Sequence, residues 1–169
     1  AASMSLTELA DHIERTHHVH LDAEFVRLDD LTAHVASAHG DKDARLREVR
    51  STFLTLAAEL SEHMTKEERV LFPMVRQLEA NETAPRFHCG SLANPVRQME
   101  REHVDAGSAL ARLRTLTDAF VPPEWACEAH RALLASLSAF ERDMHQHIHK
   151  ETDVLFPRAL EMERQKRRH

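Results

Sequence analysis

The chain has no tyrosine, one tryptophan, two cysteines and three glycines in 169 residues. Cys89 and Cys127 lie far apart with no Cys-x-x-Cys spacing, so neither a disulfide framework nor a thiolate metal motif can be read. No apolar run approaches 18 residues and no signal-type segment opens the chain, which predicts no membrane partner and a reduced, cytoplasmic setting. Lys+Arg 22 against Asp+Glu 28, a formal net charge of −6, supplies no basic stripe to neutralise phosphates, so no nucleic acid partner is expected. Scarce glycine, six prolines and apolar positions at three- and four-residue steps argue for an all-α chain; strands find no support.

At 169 residues and 42% hydrophobic content the chain is long enough for one well-cored domain and short for two. Ala1-Ala2-Ser3 before Met4 reads as a cloning remnant, residues 5–163 as a single bundle, and 164–169 as a basic C-terminal tail. A first helix starts at Ser5, with Glu8 three residues on as in a capping box, and stops at His39-Gly40, where glycine allows a left-handed cap. A second runs from about Asp43 to about Leu78. A third opens at Pro95 and ends before Pro122-Pro123, and a fourth begins near there. Short first and third connections then predict an antiparallel up-down-up-down four-helix bundle.

One stretch occurs twice: His63-Met-Thr-Lys-Glu67-Glu-Arg-Val-Leu-Phe-Pro73 and His147-Ile-His-Lys-Glu151-Thr-Asp-Val-Leu-Phe-Pro157. Each copy puts His and Glu four residues apart, on one helix face about one turn apart, which is ligand spacing for a metal ion. The repeat reaches further back, to His103 (147 − 103 = 44 residues before) and His18 (63 − 18 = 45 before). The chain therefore reads as two half-sites, each His followed by His-x-x-x-Glu, related by an approximate two-fold axis. In an antiparallel bundle His18 and His63 lie level about Gly40, and His103 and His147 nearly level about Pro122. Four histidines and two glutamates then converge on one layer of apolar faces, where two cations would offset the cost of burying them. Pro73 and Pro157 are expected to kink or break their helices. His17 and His20 flank the ligand position and are at best supporting or surface groups. His39 shares the face of His18, but a straight helix puts it ~30 Å away. It is a possible additional ligand only if the helix bends, and a helix-end cation otherwise.

The double His-x-x-x-Glu-x-x-x-Leu-Phe-Pro, Glu102-His103 and Ala38-His39-Gly40 resemble the hemerythrin-like family, and more closely its subgroup related to the di-iron RIC (repair of iron centres) proteins. The likeness runs from Leu6 to Glu161. It implies that His18, His63, His103 and His147 are terminal iron ligands and that Glu67 and Glu151 are bridging carboxylates. Two iron ions with an oxo or hydroxo bridge would complete the centre. It further implies a role in the nitrosative and oxidative stress response, supporting repair of iron–sulfur clusters by iron donation or by NO binding or reduction. Expected partners are NO, O2 or peroxide, and apo iron–sulfur proteins. The alternatives are a sensor or carrier of O2, NO or iron without turnover, and a di-iron peroxidase or catalase-like activity.

Two departures refine this. Oxygen-carrying hemerythrins have a further histidine one turn after the ligand on the third helix; here that place is Gly107. Its loss leaves room for an exogenous ligand and counts against oxygen transport, and Gly107 either holds open a small pocket or permits close helix packing. RIC proteins also carry a short N-terminal domain with a cysteine pair, for which this sequence has no counterpart; either the sequence is a fragment or it is a shorter relative.

Overall fold

Helix α1 (Leu6–Ile13) begins where Ser5 Oγ accepts the Glu8 N–H at 3.0 Å, as the capping pattern predicts. The Glu79 carboxylate takes two further free donors, Leu6 N–H at 2.9 Å and Thr7 N–H at 3.0 Å, tying the start of α1 to the segment around Glu79. The computed structural model describes residues 3–168. Ala1 and Ala2, within the expected remnant, and His169, the last residue of the expected tail, lie outside the described residues. The remaining helices are α2 (Val19–His39), α3 (Arg45–Lys66), α4 (Phe72–Ala80), α5 (Ala93–Leu116), α6 (Glu128–His149) and α7 (Phe156–Arg167). They form four long rods, α1–α2, α3–α4, α5 and α6–α7. The described residues contain no strand, only an isolated bridge between Phe87 and Gly90, and no helix long and apolar enough to cross a membrane.

Three of the rods are interrupted by a wide π-type turn: Glu14–His18, Glu67–Leu71 and Lys150–Leu155. Two of these resolve the expected proline breaks. Pro73 and Pro157 each sit second in their helices, α4 and α7. Proline has no N–H and collides with the carbonyl four residues back. The wider turn, with Phe72 N–H on Glu67 O and Phe156 N–H on Glu151 O, passes each proline without ending the rod. The first wide turn has no proline near it, and the helical periodicity gave no sign of it.

Apolar side chains pack as two separate cores. One takes Leu21, Leu28 and Val35 from α2, Leu46 to Met64 from α3, Ala106 to Leu113 from α5 and Leu133 to Met144 from α6. The other takes Leu6 to Ile13, Leu71 to Leu78, Leu92 to Met99 and Leu155 to Ala159. On every rod, the six candidate ligands, His18, His63, Glu67, His103, His147 and Glu151, fall at or beside the junction of the two stretches. A polar layer is thus sandwiched between two dry cores.

Chain ends and connections depart from expectation in three places. Gly40 is right-handed, φ −61°, not left-handed. Its reason is crowding, since an added Cβ would lie 2.4 Å from Ala36 O and 3.1 Å from the Arg47 guanidinium. The expected basic tail continues as helix through Arg167, because Lys166 Nζ caps the end of α4, donating to Leu78 O at 2.8 Å and Asn81 O at 2.6 Å. The fourth rod, expected to begin near Pro122-Pro123, starts at Glu128, with Cys127 as its N-cap. Before it, Asp118, Ala119 and Phe120 are all left-handed, φ 52°, 60° and 64°. That costs about 1–2 kcal/mol per residue, and is held by Ala119 N–H on Arg114 O at 2.8 Å and Phe120 N–H on Thr117 Oγ1 at 3.1 Å.

Candidate metal centre

The wide turns set the glutamates in place. Glu67 opens one turn and Glu151 is second in another, each one turn after the histidine of its repeat, and both carboxylates are fully buried. His18 closes the first wide turn; His63 and His147 lie in the last turns of α3 and α6, and His103 lies mid-helix on α5. The four histidines are buried, none more than 7% exposed.

Their atoms converge in two groups that could hold a metal: His18, His147, Glu67 and Glu151, and His63, His103, Glu67 and Glu151. Both glutamates belong to both groups. The pairing of histidines differs from the two half-sites read in the sequence. Each group draws one histidine from each half, because α2 packs against α6 as well as α3, and α3 packs against α5. A two-fold exchange of the halves still carries one group into the other.

In the first group His18 Nε2 lies 3.2 Å from Glu67 Oε1 and 3.2 Å from His147 Nε2, which is itself 3.2 Å from Glu151 Oε2. In the second, His63 Nε2 lies 3.4 Å from Glu67 Oε2 and 3.7 Å from Glu151 Oε1, and His103 Nε2 lies 2.8 Å from Glu151 Oε1. The opposite ring nitrogens are held from outside: His18 Nδ1 by Glu68 at 3.1 Å, His63 Nδ1 by Glu102 at 2.9 Å, and His103 Nδ1 by Thr152 Oγ1 at 2.8 Å. Partners on the outer nitrogen fix ring orientation and leave the inner nitrogen to act as a ligand. Phe72 stacks on His18 and Phe156 on His103, both at 5.8 Å between centroids.

The layer has the electrostatics of a cation site. Both Glu67 oxygens and His63 Nε2 are buried with no hydrogen bond. Burial works against a protonated His63, but Glu67 and Glu151 overcome it and push it up to about 11. His18 is raised in the same way, Glu67 prevailing over burial. Burial would raise Glu151, yet the imidazoles of His147, His103 and His63 hold it well below the usual carboxylate range. Protons on imidazoles thus stand in for positive charge that the two carboxylates demand. Cations at the two groups would supply that charge and engage the orphaned atoms, so the donor set fits a metal pair.

Other residues fall elsewhere. His39 belongs to neither group; its Nε2 lies 3.0 Å from Cys127 Sγ. His20 is exposed. His17, by contrast, is buried at 1% exposure and stacks on His147, with centroids 5.1 Å apart and planes 7° from parallel. Asp143 Oδ1 lies 3.0 Å from its Nδ1, and Lys150 Nζ donates to its Nε2 at 2.8 Å. Straight-helix geometry turns His17 away from the layer, and the wide turn brings it in. A signal for these supports was present in the repeat, which has lysine before each glutamate. Lys66 Nζ meets Glu102 at 2.8 Å and Lys150 meets His17.

Gly107 is free of crowding, since an added Cβ there meets nothing within 4 Å. Close helix packing is therefore not its reason. One residue away, Ala106 lines a cavity of about 200 Å³ between α3 and α5 that reaches His63 and is also lined by Leu56, Leu60, Lys66 and Glu102.

The chain is similar to known proteins over most of its length. Residues 9–159 match the family described as Hemerythrin HHE cation binding domain. The chain is 37% identical over 148 residues to the "Iron-sulfur cluster repair protein YtfE" of Musicola paradisiaca, covering 88% of this chain and 62% of that protein. It is 35% identical over 158 residues to the "Probable iron-sulfur cluster repair protein" of Haemophilus influenzae, covering 94% and 67%. With the "Iron-sulfur cluster repair protein YtfE" of Pectobacterium atrosepticum it shares 41% over 127 residues, 75% and 53%. The chain thus spans between about half and two thirds of the length of these relatives. A match over nearly the whole bundle, together with two buried His/Glu groups that share both carboxylates, makes the chain a member of the hemerythrin HHE cation-binding family, alongside iron–sulfur cluster repair proteins.

Proposed function

We propose that the chain is a di-iron protein of the nitrosative and oxidative stress response that supports iron–sulfur cluster repair, by donating iron or by binding or reducing NO. His18 and His147 would hold one iron, His63 and His103 the other, and Glu67 and Glu151 would bridge them. The observation that carries this reading is the sharing of both buried glutamates between the two groups. Imidazole with carboxylate suits iron, and the similar proteins are named for cluster repair. When bound, the pair would supply redox electrons and coordination to a small ligand such as NO, O2 or peroxide.

The chain's own residues account for the rest. Glu68, Glu102 and Thr152 hold the His18, His63 and His103 rings with Nε2 facing inward, and the two apolar cores keep bulk water from the layer. The cavity at His63 is large enough for a diatomic ligand or a leaving cation, and Lys66 and Glu102 flank it. Gly107, one turn after His103, supplies no further imidazole to the layer, which favours an exchangeable small ligand over oxygen carriage. We further read the rods as antiparallel, up-down-up-down. In support, the first and third rods pass from the core containing Leu6 to the core containing Leu28, and the second and fourth pass back. The thiols of Cys89 and Cys127 are free, which suits a reducing cytoplasm.

The test begins with elemental mass spectrometry of anaerobically purified protein, for which two irons per chain are expected. The reduced protein is then offered NO and, separately, an apo iron–sulfur acceptor. Failure both to consume NO and to lose iron to the acceptor would end the repair reading; zinc alone in the protein would end the iron assignment.

A further inference from the structure

At the opposite end of α2 from the metal layer, a second cluster of reactive side chains gathers where α6 begins. Cys127 is the N-cap of the 22-residue helix α6, and its Sγ accepts the His130 N–H at 3.4 Å. Ser, Thr, Asp or Asn usually holds such a position; here the sulfur sits at the positive end of a long helix dipole. His39, in the last turn of α2, reaches across to it, Nε2 to Sγ 3.0 Å. His39 is held from two sides, stacked on His130 at 5.8 Å and tilted against Trp125 at 5.7 Å, and Trp125 in turn tilts against His130 at 5.3 Å. A thiol and an imidazole within hydrogen-bond reach, with the imidazole fixed by further groups, is the arrangement of an activated nucleophile.

An independent feature points to a ligand beside this pair. His130 is 2% exposed, its Nδ1 has no partner, and its ring lines a cleft of about 490 Å³ whose wall also includes Lys42, Asp43, Trp125 and Asp118. That volume lies within the usual range for small-molecule sites. Neither Cys127 nor His39 lines the cleft, but Trp125 and His130 belong to both places. Burial and the neighbouring His39 push His130 below its ordinary value. Asp43 and Asp118 are both engaged by Arg45, while Lys42 lies over the Trp125 ring at 4.7 Å and makes no ion pair among the described residues. Arg131 donates to the carbonyls of Pro123, Glu124 and Ala126, and Glu124 and Glu128 are exposed beside the cysteine in sequence. Lys42 and Arg45 thus balance Asp43 and Asp118 along the cleft, and Lys42 alone of the four stands outside the ion pairs.

We propose that Cys127 and His39 form a nucleophile–base pair that accepts a small anionic disulfide, so that Cys127 is reversibly thiolated. The Sγ–H proton passes to His39 Nε2 as Sγ attacks one sulfur of the disulfide. The new Sγ–S bond forms, the old S–S bond breaks with its electron pair on the departing sulfur, and that thiolate takes the proton from His39. Protein thiol and disulfide become protein mixed disulfide and one free small thiol, with no external oxidant or reductant. Lys42 attracts the carboxylate of the incoming disulfide.

Cys89, exposed in the loop before α5, is the built-in reference thiol. The probe is 5,5′-dithiobis(2-nitrobenzoate), followed by oxidised glutathione with peptide mass mapping. An ordinary thiol is only about 3% ionised near pH 7, so full activation gains at most about 30-fold. Cys127 in the Cys89→Ala protein is expected to react about tenfold faster than Cys89 in the Cys127→Ala protein, and to carry the glutathione mass. His39→Gln in the Cys89→Ala background should remove that advantage, with helicity by circular dichroism and iron content unchanged. Should His39→Gln fail to fold, the Cys89→Ala protein is compared with itself in denaturant, and a folded rate above the unfolded one supports the pair. A Cys127 slower than Cys89, a rate unmoved by His39→Gln in folded protein, or a folded rate below the unfolded one overturns it. None of these readouts depends on the metal centre, so their failure leaves the repair reading untouched.

Discussion

Glu67→Gln separates what the buried carboxylate does for the metal from what it does for the fold. Both Glu67 oxygens are buried without a hydrogen bond, and an unpartnered buried polar group costs about 1–3 kcal/mol. Against that stands attraction to His18 Nε2 at 3.2 Å and His63 Nε2 at 3.4 Å. Those histidines can release the protons that Glu67 induces, and Glu151 remains for the others, so the lost attraction is smaller than for a pair that must stay charged. The amide of Gln also brings donors to ring nitrogens that lack them. Relief of the carboxylate's burial and loss of its attraction to His18 and His63 oppose each other, so the chelated variant is expected to melt within about 3 °C of chelated wild type. With iron the two separate. A cation at 100 times its Kd adds about 2.7 kcal/mol to a protein that binds it, and the variant, lacking one ligand in each group, forfeits most of that. Differential scanning calorimetry, with chelator and with anaerobic ferrous iron, reads both. A chelated variant that melts more than about 3 °C below chelated wild type would show Glu67 to be chiefly a structural ion-pair partner.

His63 is pushed up to about 11, so its share of metal-free stability is complete below about 6.5, its unfolded value, and is lost as pH rises toward 11; the melting midpoint of chelated protein should fall between pH 7 and 10, and a flat profile would refute the raised value. Cation uptake must displace that proton, so iron affinity measured by competition with a chromophoric chelator should rise by up to about tenfold per pH unit for each proton released. Burial raises Glu102, but Lys66, Gln98 and His63 outweigh it and hold it at about 2; Glu102→Gln keeps the shape but weakens the hold on His63 Nδ1, and should cost about 10–100-fold in metal affinity with little change in the chelated melt. Phe72 is fully buried against His18, and Phe72→Ala should cost about 3–5 kcal/mol in denaturant unfolding, whereas exposed His34→Ala should change neither stability nor iron content.

The sequence made the four rods and the convergence of His18, His63, His103, His147, Glu67 and Glu151 legible for one reason. Helical periodicity and an internal repeat are properties of order along the chain, and the candidate ligands inherit their heights from them. Lateral choices were not legible. Which histidines share a group depends on how rods sit around the bundle, and two half-sites equal in sequence say nothing about whether His18 meets His63 or His147. The burial of His17 was hidden for a local reason. Angular arithmetic at 3.6 residues per turn assumes an unbroken helix, and the wide turn at Glu14–His18 adds a residue with no proline to announce it. Gly40 shows the opposite failure, a residue type read correctly as special for the wrong cause, since crowding by Ala36 O rather than positive φ excludes a side chain.

The wide turns explain why the repeat ends in Leu-Phe-Pro rather than in another candidate ligand. Glu67 and Glu151 must point into a layer whose neighbours on the same rod, Leu71, Phe72, Leu155 and Phe156, are almost wholly buried in the next core. A regular helix would keep one apolar stripe continuous past the glutamate. The wide turn inserts the phase shift that lets a buried carboxylate interrupt the stripe, and the following proline disfavours the regular alternative by removing its donor and crowding the carbonyl four residues back. Phe72 and Phe156 then lie over His18 and His103, so the residue that closes the turn also walls the site. Replacing Pro73 with Ala should therefore act on the site before the fold: regular hydrogen bonding becomes available, Glu67 swings, and iron content falls while the chelated protein keeps its helicity by circular dichroism. Retention of two irons with unchanged affinity would show that the turn is set by packing alone and that proline only follows it.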